Sequence, residues 1–462
     1  MRLEKIFRFI DENRDRFIGE LLPLVAQPSI SATGEGIETC AGMLARMMRP
    51  LGIETQILPT GGYPVVYGEI RAPSSVRTLL LLCHYDVVPP GPMEDWKNPP
   101  FEPMIRDNRI WARGAGDAKG QLFACLKALE AWNSLHGEIP CTVRLVFIGD
   151  EEIGCSTLPS IVEKYRSMFR ADAVLFLDAS TLDVEGPVIY LANRGVLAIE
   201  LVARGAGKQA HSGSYGGLLR NPAFRLAQAI GTMRDDTGRI LIRGFYEHLQ
   251  PLGETEKALL SRLVLNREKK LHLLGASEFW GDPGYSYFEV QMYRPTLNIH
   301  GLTSGYQEGG WMAVVPATAR AKIDINIVPN LDPGDLNQKI RGHLDERGFQ
   351  DIEIVELARI PYACGALPDD PFLRVVSSAQ RRVWGMDPVI YPSIGGGGDL
   401  TKAFKEQLGN RHFLMVPLGQ PDMNEHSPHE NFDLDWFIRG IKLIAAIVAE
   451  FGAMEGRTSQ EA

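Results

Sequence analysis

The sequence has no CxxC pair, no apolar run of membrane-spanning length and no excess of positive charge. Each absence removes a class of protein. The six cysteines stand at 40, 83, 125, 141, 155 and 364, a spacing that builds neither a zinc ribbon nor a disulfide framework. Most lie inside apolar segments and are expected to be buried free thiols in a reducing compartment. The longest apolar stretch near the C-terminus runs only from Leu443 to Ala449, whereas a bilayer needs about 20 such residues. In the opening segment Glu4, Asp11, Glu12 and Asp15 interrupt the apolar residues, where a secretory signal needs an unbroken apolar core. Lysine and arginine number 48 against 57 aspartates and glutamates, a net charge of −9. A phosphate-neutralising surface reverses that balance. The expectation is a soluble, cytoplasmic protein with no nucleic-acid and no membrane partner.

What is present reads as an ordinary globular chain. Apolar residues make up 45% of the 462 residues and charged ones 23%, and at about 100–200 residues per domain two to three domains are expected. The first segment reads as an amphipathic helix, with Ile6, Phe9, Ile10, Phe17 and Ile18 at helical spacing. Thr78 to Cys83, Thr142 to Ile148 and Ala173 to Leu177 are short continuous apolar runs of the kind that form fully buried strands. Between the first two, Leu122, Cys125, Leu126 and Leu129 mark one face of a helix. This alternation predicts an α/β fold, a mixed and largely parallel sheet sandwiched by helices. Near Asn193 the pattern changes to strand, helices, strand, helix, strand, including Val196 to Ala203, Ala319 to Val328 and Ile352 to Leu357. That suits a smaller inserted α+β domain. The boundaries drawn are a first part at 1–192, the insert at 193–366 and a second part at 367–462, with helices near 372–384 and 433–451.

Three predicted strands end in residues able to ligate a metal: His84-Tyr85-Asp86, Asp150-Glu151-Glu152 and Asp178. Each has a bland reading alone. His84 alone reads more readily as a structural histidine, Glu151-Glu152 equally as carboxylates at a helix start, and Asp178 equally as a turn residue. In open α/β sheets, however, ligands bind outside the carboxyl ends of the strands. Three such ends in one sheet gather imidazole and carboxylate donors, a set suited to Zn²⁺, Mn²⁺ or Co²⁺. The glycine stretch Arg113 to Gly120 is a near miss to a dinucleotide fingerprint, lacking its third glycine. It reads better as a close backbone approach that aims Asp117 into the crevice. The run Gly395 to Gly398 is either a flexible loop or a place where substrate meets backbone amides.

HYD at 84–86, GAGDAKG at 114–120, GDEEIG at 149–154, Asp178, AHSG at 210–213 and HSPHEN at 426–431 resemble, in order and across nearly the whole chain, the M20 metallopeptidases. That family takes in carnosinase-like dipeptidases, aminoacylases and carboxypeptidase G2. The resemblance implies a metallohydrolase of amide or peptide C–N bonds with a zinc-peptidase-like catalytic domain and a lid or dimerisation insert. It implies two divalent ions per subunit, Zn or Mn with Co as an alternative. His84, Asp117 and Asp178 would hold one ion, and Asp117, Glu152 and His426 the other, with Asp117 bridging. Asp86 would orient the ligand histidine, and Glu151 would be the general base toward a metal-bridging water. His211 is similar to the lid histidine that steadies the oxyanion, in carnosinase-like members from the partner subunit of a homodimer. The HS-x-x-E spacing favours His426 over His429 as the ligand. Aspartate at 178 leans toward substrates with a free amino group.

The departures from the family pattern concern the substrate. Where dipeptidases carry an arginine in a lid strand, this chain reads Asp324-Ile-Asn-Ile-Val-Pro329, with Asn326 at that position. Ala313 stands where a threonine is expected, and Gly397, beside Gly396, where a serine is. Loss of a bidentate guanidinium removes a charge-assisted carboxylate clamp. The expected substrate is an aminoacyl amide or conjugate without a free α-carboxylate on its leaving side. Alternatives are a conventional dipeptide, with Arg320 or another lid arginine supplying the charge, and hydrolytic removal of an amine from a non-peptide, aromatic small molecule.

Overall fold

A computed structural model describes residues 2–136, 138–155, 157–281, 284–395 and 398–454. Within them the chain divides into two compact units, one made of 1–192, 364–391 and 400–462, the other of 193–363 and 392–399.

The first unit is built on an eight-stranded sheet. Its order is Glu54–Leu58, Val65–Ile70, Thr142–Ile148, Thr78–His84, Ala173–Phe176, His412–Met415, Val188–Tyr190 and Val389–Tyr391. The middle of the sheet is parallel: Thr78–His84 pairs in that sense with both neighbours, and Ala173–Phe176 with His412–Met415. The continuous apolar runs follow from this position. Leu79, Leu80, Leu81 and Leu82 are all fully buried, because both faces of the strand are covered. The helix Leu434–Ala453 packs on Gly120–His136, and Pro371–Trp384 and Arg2–Glu12 pack on Leu434–Ala453 in turn. The helix read as one at the N-terminus is two, Arg2–Glu12 and Arg14–Ala26. Asn13 between them leaves helical geometry, and its amide donates to the Phe9 carbonyl at 2.8 Å. An asparagine competes in this way with the helix's own hydrogen bonds. Five cysteines are buried and free, and Cys364 is exposed. Among the described residues no helix is long and apolar enough to cross a membrane.

The second unit is an antiparallel sheet in the order Leu297–Ser304, Thr318–Ile327, Gly195–Arg204 and Glu353–Ile360. One face carries Leu197, Ile199, Leu201, Ala321, Ile323 and Ile325, buried with Leu226, Leu336 and Ile340 of the helices Pro222–Gly231 and Pro333–Glu346. Glu200, Arg320, Asp324 and Asn326 lie on the opposite parity. The edge strand Leu297–Ser304 has no counterpart in the sequence reading. Most of its residues are at least partly exposed and a bulge interrupts its register between Ile299 and Gly301, so its apolar alternation is weak.

Candidate metal centre

Strand register builds the first half of the site. Thr142–Ile148, Thr78–His84 and Ala173–Phe176 lie side by side and parallel, so their carboxyl ends share one edge. His84 lies level with Ile148, and Leu82 with Phe176. Asp178, two residues past Phe176, therefore comes level with His84. The Glu151–Ile153 turn follows the end of Thr142–Ile148 after two residues.

Asp117 arrives from a different element, the irregular turn Ala115–Lys119 that precedes Gly120–His136. Here the glycines have specific work. Gly114 has φ +81°, and a Cβ on Gly120 would lie 2.3 Å from the Ala115 carbonyl oxygen. The turn wraps around the fully buried Glu430, whose carboxylate accepts from the backbone N–H groups of Gly114, Gly116 and Asp117, each at 3.0 Å. The Arg113 guanidinium donates to the same carboxylate at 2.7 Å. Four donors on one carboxylate hold the turn that carries Asp117.

Asp117 is the hinge of the constellation. Its Oδ1 lies 3.1 Å from His84 Nε2, and its Oδ2 3.1 Å from His426 Nε2. His84 Nε2 is also 3.3 Å from Asp178 Oδ1, and His426 Nε2 is 3.0 Å from Glu152 Oε2. Two histidine–carboxylate clusters thus share Asp117, one oxygen to each. Glu151, partly buried, offers an atom within 4.8 Å of donor atoms of His84 and Asp178. Asp86, fully buried, ties the halves together. It accepts from the backbone N–H groups of Glu151 at 3.2 Å and Glu152 at 3.0 Å, and its backbone oxygen is 3.1 Å from His84 Nδ1. With Nδ1 engaged, Nε2 is the ring nitrogen turned to the centre.

The electrostatics are those of a site for cations. Burial and the Asp117 charge push the Glu152 carboxyl up to about 7. Burial also raises Glu151 and Asp178, against the lowering influence of His84. Hydrogen bonds to Asp117 and Glu152 hold His426 up to about 11. For Asp117, burial works upward, but hydrogen bonds from both histidines hold it below the carboxylate range. Glu152 Oε1 is buried with no hydrogen-bond partner, an orphan that a cation would satisfy. Five imidazole and carboxylate side chains with no thiolate fit two divalent ions of the zinc or manganese type.

His429 lies apart from this cluster. Its ring packs edge-on against Trp96 at 6.0 Å, and its Nδ1 is 3.4 Å from the Lys97 N–H. His211, Asn326 and Arg320 belong to the second unit. His211 is exposed, on the short strand Ala210–His211 paired with Val314–Val315. Asn326 donates to Thr296 Oγ1 at 2.7 Å. Arg320 is paired with Glu200 at 2.5 Å. Gly396 and Gly397 lie outside the described residues. Sequence reasoning used Glu430 only as the end of the HS-x-x-E spacing, missing its role, and missed Glu425 altogether. The first had a signal, its fixed place four residues after His426, and the second only its adjacency to that histidine.

Comparison with known proteins follows the same lines. The profile of peptidase family M20/M25/M40 matches residues 80–450. The Cys-Gly metallodipeptidase dug1 of Schizosaccharomyces pombe is 28% identical over 98% of this chain and 99% of its own length. The human Beta-Ala-His dipeptidase is 27% identical over 98% of this chain and 93% of its own. Among solved structures, the M20 metallo-carboxypeptidase Sso-CP2 from Sulfolobus solfataricus superposes with a TM-score of 0.87 at 32% identity, covering 95% of this chain and 99% of that one.

Proposed function

The chain belongs to peptidase family M20 and is a metallohydrolase of C–N bonds; from that premise we propose that it cleaves the peptide or amide bond of a small substrate with a free amino group, using two divalent ions. The observation that carries the reading is Asp117, with each oxygen facing a different histidine. His84, Asp117 and Asp178 would hold one ion, and Asp117, Glu152 and His426 the other. Bound there, Zn²⁺, Mn²⁺ or Co²⁺ supplies Lewis acidity toward the carbonyl and makes water more acidic.

The chain's own residues do the proton work. As the water oxygen bonds to the carbonyl carbon, the Glu151 carboxylate takes a proton from it. The C–N bond then breaks, and Glu151 hands that proton to the leaving nitrogen. Asp86 sets this up by holding the Glu151 and Glu152 backbone and the His84 ring together. On the family pattern His211 is the candidate donor to the oxyanion, and the second unit the candidate dimerisation surface.

For the leaving side, Asn326 is neutral and occupied by Thr296, and the Arg320 charge is matched by Glu200. Neither offers a free guanidinium, so the substrate we propose lacks a free α-carboxylate there, as an aminoacyl amide or conjugate does. One observation favours a second reading. Arg194 of the second unit has a buried Nε without a partner, its guanidinium lies 3.2 Å from where a Cβ on Gly395 would stand, and burial lowers its pKa. A dipeptide carboxylate would satisfy it, in keeping with relatives named as dipeptidases. Hydrolysis of an aminoacyl dipeptide and of its C-terminal amide by the Zn²⁺- or Mn²⁺-loaded protein separates the two. Preference for the amide supports the first reading, and preference for the free acid supports the second. Turnover of neither, with both ions bound, overturns the peptide and amide readings together.

A further inference from the structure

Glu425 takes no part in the mechanism above, yet it stands beside the same centre. It is the residue before His426, and the residues on both sides of it, Asn424 and His426, have φ of +57°. Two non-glycine residues in the left-handed region, one on each side of Glu425, are costly, and such strain persists where the surroundings hold a side chain in place. The carboxylate of Glu425 is close enough to Asp117 and Asp178 to feel both charges, and the Ser180 side chain hydrogen-bonds to it. Ser180 is itself buried, its carbonyl taken by the Tyr190 hydroxyl at 2.8 Å. What is left over is Glu425 Oε2, buried and without a hydrogen-bond partner.

We propose that Glu425 receives the ammonium group of the substrate and so makes a free amino group a requirement of the enzyme. The proposal rests on the hydrolase reading above and names the group that selects its substrate. An ammonium placed beside two divalent ions is repelled by them. Asp117, Glu152 and Asp178 together carry one negative charge fewer than those ions carry positive, so the ligands alone leave a surplus. Asp86 is engaged with His84 and two backbone amides, and Glu151 must stay free for the proton it moves. Among the described carboxylates at the centre that are given neither to a metal nor to proton transfer, Glu425 keeps an unused oxygen. A charge-assisted hydrogen bond to it would hold the amino end while the scissile carbonyl faces the metals.

The test compares the metal-loaded wild type with Glu425→Gln and Glu425→Ala on two substrates, an aminoacyl amide with a free amino group and its N-acetylated twin. Wild type is expected to favour the free amine. In Glu425→Gln, kcat/KM on the free amine is expected to fall about 10- to 100-fold, chiefly through KM, as expected for one lost ionic hydrogen bond. The acetylated twin is expected to be unaffected, and metal content to stay at two ions per chain. Equal loss on both twins, loss of a metal ion, or a wild type indifferent to acetylation overturns the proposal. Calorimetric binding of glycinamide and N-acetylglycinamide tests the contact without turnover. Equal affinity of wild type and Glu425→Gln for glycinamide overturns it, whereas failure of the metal-loaded wild type to cleave either twin strikes the hydrolase reading instead.

Discussion

At the scale of single residues, a shift of a few ångströms separates a candidate ligand from a bystander. His426 and His429 are three residues apart in one loop, both at positive φ, yet only His426 reaches Asp117 and Glu152. His426→Ala is therefore expected to lose one of two bound ions, counted by elemental analysis, whereas His429→Ala should keep both. Among the described residues the Glu151 side chain joins none of the hydrogen bonds or ion pairs that hold the site together, only its backbone N–H meeting Asp86, so its replacement should be read in rate alone. Glu151→Gln is expected to lower kcat by about 10²- to 10⁴-fold, the usual worth of a positioned acid–base group. Metal content and melting temperature should stay as in wild type. A variant that loses metal in step with activity would make Glu151 a ligand instead.

At the scale of elements, the site depends on how turns are held rather than on strands. The strand ends were legible because a buried parallel strand shows itself as a continuous apolar run, and its first polar residues mark its end. His84, Glu151, Glu152 and Asp178 follow from that local signal. Asp117 does not, since its turn is shaped by Glu430, more than three hundred residues away. Glu430→Ala leaves the Arg113 guanidinium buried and unpaired together with three backbone donors. It is expected to cost about 3–5 kcal/mol in urea unfolding and to weaken metal binding. Gly120→Ala brings a methyl to 2.3 Å from a carbonyl oxygen. That overpacking is expected to cost about 1–3 kcal/mol by the same measurement. The break of the N-terminal helix at Asn13 was hidden from periodicity, because the apolar positions on both sides still face buried surroundings.

At the scale of the whole chain, metal binding and folding are linked. The proposed ligands form a constellation drawn from residues 84 to 426, which the unfolded chain does not present. A chelator is therefore expected to lower stability by RT ln(1 + [L]/Kd), about 2.7 kcal/mol where the metal stood at a hundred times its Kd. A calorimetric scan with and without chelator reads this directly. His84 and His426 must give up protons to ligate, and His426 is held up to about 11 without metal. Lower pH favours the protonated rings, so metal affinity is expected to fall as pH falls, with proton release on binding. Constant affinity between about pH 8 and pH 6 would remove the histidines from the ligand set. The candidate dimer is checked by light scattering, which should return twice the chain mass.

Legible from the residues alone were the parallel sheet, the helices that cover it, the family and the kinds of donor at the strand ends. These follow from local hydropathy and from residue types at strand ends, which a chain carries whatever its neighbours do. Tertiary structure decided the rest: that Asp117 offers one oxygen to each histidine, that Glu430 shapes the loop behind it, that Arg320 is neutralised by Glu200, and that Glu425 keeps an oxygen free. Each is a pairing between distant segments or across strands, set by packing and charge. No periodicity records such pairings.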